Sequence, residues 1–407
     1  MDALTPQTRA DPLPAGLIDA VEATARLRIS RATLYAYVSR GLIRSVVKPD
    51  DPRAHLYAAA DIAMLARRKT RMRRPAAAAA TALDWGLPVL ETRIARIENG
   101  RLSYRGADAT TLAETQSFEQ VCRRLWDAGR ADPFKGVHFD PGSASGWTRM
   151  AARVRSWPAT DRAMALLSLI LDADRDGKAP FHTAARLVLM IATAAAGTAL
   201  DPRLPLHRAL AKAWDRPKAA DAIRRALILS ADHELNVSTF AVRVVASSGA
   251  SLTASLLAGL AALSGPRHGG ATLRAAKMIA AMSRSGGVEA VLRDLIKRDV
   301  PIPGFGHPLY PDGDPRAEAL LPHIGTAPLV RDAATAIHNA TGQHPTIDLA
   351  LVGVELGQRL PPGAALALFA IGRTSGWIAH ALEQQANQTL IRPRARFVAD
   401  EPPIGTS

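Results

Sequence analysis

The sequence predicts a mainly helical protein that begins with a small mixed module of short helices and strands. Three observations predict it. Alanine and leucine are abundant, aromatic residues make up 5% of the chain and alternating β-branched runs are scarce, a composition that favours helices over sheets. From Ala113 onward the text is almost wholly helical in pattern, interrupted at "RADPFKG", "FDPGSASG", "DADRDGKAP" and "SGPRHGG". Strand-like text and short helical text alternate within the first 74 residues. At 407 residues, 48% of them hydrophobic, the chain is long enough for two or three domains with sizeable cores. It carries no fixed-period repeat of a solenoid.

Taken in order, residues 1–16 are polar and are expected to form a disordered tail, with no apolar stretch of a secretory leader. In "LIDAVEATARLRIS" the residues Leu17, Val21 and Leu27 recur near helical spacing and predict an amphipathic helix from Leu17. Ser30 caps a second helix, Arg31 to Ser39, which Gly41 ends. A strand, a proline turn, a second strand ending at Tyr57 and a helix opening near Asp61 follow. Two short helices joined by a tight turn make a helix-turn-helix. Its second helix offers Arg31, Thr33, Tyr35, Tyr37 and Arg40 to the bases or phosphates of a major groove. Residues 1–74 hold 14 Lys+Arg against 7 Asp+Glu, half of the net charge of +14 in under a fifth of the chain. That asymmetry suits a polyanionic partner such as DNA; a module of this kind also serves as a dimer contact alone. The basic run "RRKTRMRR" passes into "PAAAAATA", and residues 75–90 read as a linker.

"TRIARIENGRLSYRG" places Asn-Gly between two short alternating segments, a hairpin signal. "ASSGASLTASLLAGLAALSG", Ala246 to Gly265, is uncharged, but its serines and small residues predict a tightly packed internal helix rather than a membrane span. The single cysteine, Cys122, excludes an intrachain disulfide and a cysteine-rich zinc site, which suits a reducing cytoplasm. The stretch "GFGHPLYPDGDPR", Gly304 to Arg316, denies regular hydrogen bonding through its glycines and prolines. It reads either as a shaped loop aiming His307 and Arg316 at one ligand or as a solvated surface loop. Further patches concentrate polar groups in apolar text: "LSADHELNVSTF" with His233, "SGPRHGGA" with His268, "HPTIDLAL" with Asp348, "AIGRTSGWIAH" with Arg373 and "LIRPRARF" with Arg392.

Two resemblances follow from these motifs. "SRATLYAYVSRGLI" with the later Tyr57-x-x-x-Asp61-Ile62 resembles the MerR-like winged helix-turn-helix over Leu17 to Lys69, which makes residues 17–74 the DNA-binding candidate. "ADHELNVSTFAVRVVAS", "SGPRHGGA", "GFGHPLYPDGDPRA" and "RTSGWIAHALEQ…LIRPRA", in that order, resemble the bacterial citrate synthases from about Ala95 to Phe397. The second resemblance implies an all-α homodimer, its large domain spanning residues 91–268 and 361–400 and its small domain residues 269–360. It implies condensation of acetyl-CoA with oxaloacetate and hydrolysis of the thioester, CoA being co-substrate, with no metal and no permanently bound cofactor. Asp348 would then be the base, His268 the donor to the enolate oxygen, and His307 the group polarising the ketone. His233, Arg316, Arg373 and Arg392 would bind oxaloacetate, Arg392 reaching in from the partner subunit.

The residue types suit that chemistry independently. A thioester methyl group is a very weak carbon acid and needs a positioned base and an enolate donor; two carboxylates call for arginines. Two departures stand out. Pro308 occupies a position where many bacterial members carry a CoA-binding arginine, and "DLALVG" follows where "DFYSG"-like text is common. Both changes point at the acyl-CoA, and they open the way to propionyl-CoA and a 2-methylcitrate synthase. A second reading makes the chain a DNA-binding transcriptional regulator whose body senses oxaloacetate or acyl-CoA.

Overall fold

The computed structural model describes residues 16–27, 29–39, 43–48, 51–59, 61–63, 90–171, 180–284 and 286–395. Arg40, Gly41, the 75–89 stretch of the expected linker and nearly all of the expected tail lie outside them. The chain divides into two compact units, Met1–Glu91 and Thr92–Ser407.

In the first unit β1 (Leu17–Ile18) pairs antiparallel with β3 (Asp51–Ala58), which pairs on its other side with β2 (Ser45–Lys48). The helices α1 (Ala20–Leu27) and α2 (Arg31–Ser39) lie between β1 and β2 in the chain. The expected helix start is corrected: Leu17 and Ile18 belong to a strand, and the helix begins after Asp19, whose carboxylate accepts the Glu22 N–H at 2.8 Å. The apolar face shifts with it. Val21 is 62% exposed, while Ala23 and Leu27 are buried against Leu34, Ile43, Tyr57 and Ile62. Ser30 does cap α2, accepting the Thr33 N–H at 3.2 Å. Asp61 takes the Arg44 guanidinium through both carboxylate oxygens, at 3.0 and 2.9 Å, which ties the entry of β2 to the turn of helix at 61–63.

The second unit opens on the hairpin β4 (Ala95–Glu98) and β5 (Arg101–Tyr104), with the short β6 (Ala107–Asp108) on its free side. Asn99 and Gly100 both take positive φ, 51° and 72°, the turn geometry that suits the twist of two strands. Helices follow: α3 (Ala109–Thr115), α4 (Phe118–Leu125), α5 (Trp147–Arg153), α6 (Ala159–Leu167), α7 (Pro180–Ala196), α8 (Leu206–Ala213) and α9 (Ala220–Leu229). Then come α10 (Val237–Ser247), α11 (Leu252–Leu263), α12 (Gly270–Arg284) and α13 (Gly287–Lys297). After the Gly-Pro loop, α14 (Pro315–Leu320), α15 (Pro328–Thr341), α16 (Ile347–Gly357) and α17 (Ala364–Asn387) close the order.

The last of these is the axis of the core. Every residue from Ala364 to Ala381 is buried, and α7, α9, α10 and α11 pack around it. Small residues set how closely. A Cβ on Gly372 would sit 2.5 Å from the Leu227 carbonyl, and one on Gly259 would sit 2.8 Å from Trp377 and Val242. The uncharged stretch 246–265 is two segments of this core: the end of α10, then α11 after a turn at Gly249. Among the described residues no helix is long and apolar enough to cross a membrane.

Candidate active site

Three breaks in the helical order carry the candidate histidines of the second unit, while Arg316, Asp348 and Arg373 lie on helices. His233 follows α9 in the loop that leads to α10, and it is 7% exposed. His268 sits in the turn between α11 and α12. There the Gly269 N–H binds the Leu263 carbonyl at 3.0 Å, and a Cβ on Gly269 would fall 2.4 Å from that same oxygen. The turn therefore needs glycine and presents the histidine that precedes it. His307 lies in the Gly-Pro loop, which is stitched to the strand-like segment before α16: Gly306 N–H to the His344 carbonyl at 3.0 Å and Thr346 N–H to the Gly304 carbonyl at 2.8 Å. Gly304 and Gly306 take φ of 82° and 67°, so the residue type and the shape agree.

The loop and the helices that follow it converge on one carboxylate. Asp314 caps α14, and its Oδ1 accepts the Arg316 N–H and Nε–H at 3.0 and 2.9 Å. Its Oδ2 accepts Arg316 Nη2–H at 2.8 Å and the Ile347 N–H at 3.0 Å. Arg316 and the first turn of α16, which carries Asp348, are thus fixed to the same buried group. Asp348 is half-buried and accepts hydrogen bonds from the hydroxyls of Thr272 and Thr346. Burial pushes its carboxyl up from the ordinary 3.8, against the opposing pull of those hydroxyls and of Arg316.

The rings of His233 and His307 stand edge to face with centroids 5.1 Å apart. Tyr310 fills the angle between them, its hydroxyl 3.0 Å from His233 Nε2, and the Arg316 guanidinium lies 5.4 Å from its ring centre. Arg373, 1% exposed on α17, donates Nε–H to the Ser230 carbonyl at 2.8 Å and stacks 4.8 Å over Phe369. His268 meets the other side of this region through an edge contact with Phe369 at 6.2 Å. Arg373 has no carboxylate within ion-pair distance among the described residues, and burial lowers its guanidinium to about 10. A fully buried cation without a paired carboxylate is an expensive arrangement that an anionic ligand relieves.

All three histidines are neutral at physiological pH. Burial, then Arg316 and Arg373, hold His233 well below 6.5; burial and Arg373 bring His268 to about 4; burial and Arg316 bring His307 to about 4. The backbone selects one tautomer: His307 Nδ1 accepts the Leu309 N–H at 3.2 Å, so the ring proton sits on Nε2 as a donor. For His268, Nε2 lies 2.8 Å from Ser238 Oγ, which also takes the Trp377 indole N–H at 3.1 Å. Ser238 has one hydroxyl proton and a second acceptor, Asn236 Oδ1, at 2.8 Å, so its rotation is coupled to the tautomer of His268.

His233, His268, His307, Arg316, Asp348 and Arg373 are brought together in this way. Arg392 is not: it is exposed in the segment after α17 and makes no hydrogen bond or ion pair among the described residues. Sequence reasoning did not single out Tyr310, Asp314, Thr272 or Ser238. Asp314 had a readable signal, an Asp-Pro helix start two residues before Arg316, whereas Ser238 and Thr272 look like ordinary helix residues. In the first unit Arg31 and Tyr35 are exposed on α2, while Thr33 is half-buried beside Ser30 and Tyr37 packs on the core.

Two buried arginines, neutral imidazoles and one raised carboxylate thus converge within one helical body. Residues 81–394 match the family model "Citrate synthase, C-terminal domain". The chain belongs to the citrate synthase family. It is 28% identical over 371 residues to Citrate synthase 2 of Bacillus subtilis, covering 78% of this chain and 95% of that protein. It is 32% identical over 186 residues to the 2-methylcitrate synthase of Shewanella oneidensis, 43% of this chain and 50% of that one. Its fold matches the citrate synthase of Thermoplasma acidophilum, solved as a ternary complex with carboxymethyl coenzyme A and "oxalateacetate". That match has a TM-score of 0.65 at 22% identity and covers 79% of this chain and 96% of that one.

Proposed function

We infer that this chain is an acyltransferase that joins the methyl carbon of acetyl-CoA to the ketone carbon of oxaloacetate and hydrolyses the resulting thioester, giving citrate and CoA. The observation that carries it is Arg373, buried, cationic and without a carboxylate of its own, set among neutral histidines and beside the paired Arg316. In our reading those two arginines take the carboxylates of oxaloacetate and His233 joins them. His307, its proton fixed on Nε2, polarises the ketone. Asp348 removes a methyl proton, and its raised basicity suits it to a weak carbon acid. His268, neutral, donates to the thioester oxygen as the enolate forms, which requires the Ser238 proton to turn toward Nε2.

We divide the body into a large domain of residues 91–268 and 361–400 and a small one of residues 269–360, His268 lying at their junction. We place the enzyme in the cytoplasm as a homodimer whose partner supplies Arg392; its exposure and its lack of a hydrogen bond or ion pair among the described residues support that. The apolar residues after Asp348, Leu349 and Leu351 both fully buried, support a wider acyl preference that includes propionyl-CoA. For residues 17–74 we propose a MerR-like winged helix-turn-helix that binds DNA through α2. Arg31 and Tyr35 on one exposed face support it; salt-sensitive, sequence-preferring DNA binding lost on deleting residues 1–74 is the expected result. The pure regulator reading has no such support, and we do not carry it further.

The deciding experiment is thiol release from acetyl-CoA and propionyl-CoA by the full chain, with and without oxaloacetate. Release that depends on oxaloacetate, and that falls about 100-fold or more in Asp348→Asn while oxaloacetate still binds, is expected. Undiminished release in that variant would sink the assigned base.

A further inference from the structure

We propose that Asp232, braced by His380, is the positioning residue that sets the pose of His233 and hence the affinity for oxaloacetate; this rests on the reading of His233 as an oxaloacetate ligand. Asp232 is fully buried, and its carboxylate is not used by any step above. Oδ1 accepts the Glu234 N–H at 2.9 Å. Oδ2 lies 3.2 Å from His380 Nε2, off the line of an aligned hydrogen bond, and His380 is also fully buried. The backbone of Asp232 is held as well: its N–H reaches the Tyr104 hydroxyl at 3.3 Å, and that hydroxyl lies 3.0 Å from the Ile228 carbonyl.

His233 is therefore gripped from both neighbours. Glu234 takes φ of 51°, a left-handed conformation costly for a residue with a side chain, and the Asp232 carboxylate is what binds its N–H there. The Glu234 side chain in turn accepts the Ile97 N–H of the hairpin. On the far side α17 presses against the carboxylate: a Cβ on Gly376 would stand 2.3 Å from Oδ2, and the Gly376 N–H binds the Ala231 carbonyl at 3.0 Å.

The proton on His380 is assigned by its other neighbour. Arg243 Nη1, which only donates, lies 3.4 Å from His380 Nδ1, so Nδ1 accepts and Nε2 carries the hydrogen that faces Asp232. Arg243 is anchored by Gln384 at 2.9 Å and Glu383 at 2.8 Å, and Glu383 takes the Arg93 N–H at 2.8 Å. The imidazole therefore has one ring nitrogen committed to Arg243, and the Asp232 carboxylate gives one oxygen to the Glu234 N–H and sets the other 3.2 Å from His380 Nε2. A carboxylate can face both N–H groups with oxygen. An amide cannot: whichever way it turns, its NH2 opposes either the Glu234 N–H or the His380 N–H.

The test compares Asp232→Asn, His380→Gln and His380→Leu in the full chain, reading kcat, both KM values and calorimetric oxaloacetate binding. Asp232→Asn is expected to raise the oxaloacetate KM and Kd by about tenfold or more, with kcat within about threefold of the parent and the acetyl-CoA KM unmoved. His380→Gln, which keeps an N–H near the place of Nε2, is expected to stay near the parent, and His380→Leu to follow Asp232→Asn. Unaltered oxaloacetate binding in Asp232→Asn, a loss confined to kcat, or equal behaviour of the two His380 variants would overturn the proposal. Should Asp232→Asn fail to fold, the His380 pair decides alone. A parent that binds oxaloacetate without turning it over would defeat the synthase reading, and the binding comparison would still judge Asp232.

Discussion

At the scale of single residues the candidate site holds its imidazoles neutral and one carboxylate basic beside two buried arginines. His268 and His307 both stand at about 4 in the folded protein against 6.5 when free. As the pH falls through 6.5 the unfolded chain takes up protons that the folded imidazoles refuse until about 4. Their contribution to stability is therefore complete above 6.5 and is lost progressively between 6.5 and 4. Asp314, held below its free value of 3.8 by Arg316, adds a loss at still lower pH, and Asp348, raised by burial, offsets part of the first. The expected outcome is an unfolding temperature that drops steadily across that window, and an oxaloacetate kcat/KM with no inflection at the free imidazole value; an inflection near 6.5 would mean that these rings titrate as if in water. His307 and Arg316 were legible because a Gly-Pro loop has little reason to hold fixed polar groups unless it aims them. Tyr310 was not, since a tyrosine in a loop looks the same whether buried or solvated, and for Asp314 the Asp-Pro text announces a helix start but not the grip on Arg316.

Among the elements, close approach at glycine decides what the histidines can touch. Gly259 lets α11 lie against Trp377 of α17, and the Trp377 indole N–H is one of the groups fixing Ser238 against His268. Gly259→Ala puts a methyl group 2.8 Å from that ring. It is expected to destabilise the body by about 1–3 kcal/mol through overpacking, visible as a lower unfolding temperature, and to reduce kcat more than the oxaloacetate KM. Full kcat with unchanged melting would mean that the helices simply part. None of this could be read from the string, because "LLAGLAAL" says that small residues pack but not against which ring. The hairpin was readable since Asn-Gly encodes its own geometry. The first helix was misplaced for the converse reason: Leu17, Val21 and Leu27 fit a helical period, yet Leu17 pairs with Ala58, a partner 41 positions away, and the capping carboxylate of Asp19 starts the helix later.

For the whole molecule the open term is the arginine that the chain leaves outside its cluster of candidate residues. Six candidate residues converge within one chain, while Arg392 stands exposed beyond α17. If it completes the site of a second copy, each site of a twofold dimer draws Asp348 from one chain and Arg392 from the other. Two dead homodimers then repair each other. In a hybrid of Asp348→Asn with Arg392→Ala, one site carries both defects and the other carries neither. Random exchange of equal amounts makes half of the dimers hybrids, so about a quarter of the parent activity is expected to return. The measurement is oxaloacetate-dependent thiol release before and after the two variants are mixed under conditions that allow subunit exchange, with each variant alone as control. Recovery toward a quarter would assign Arg392 to the partner's site, since two sites each built from a single chain could gain nothing from mixing. An unchanged sum, with exchange verified by a tagged copy, would return Arg392 to its own protomer or remove it from the site altogether.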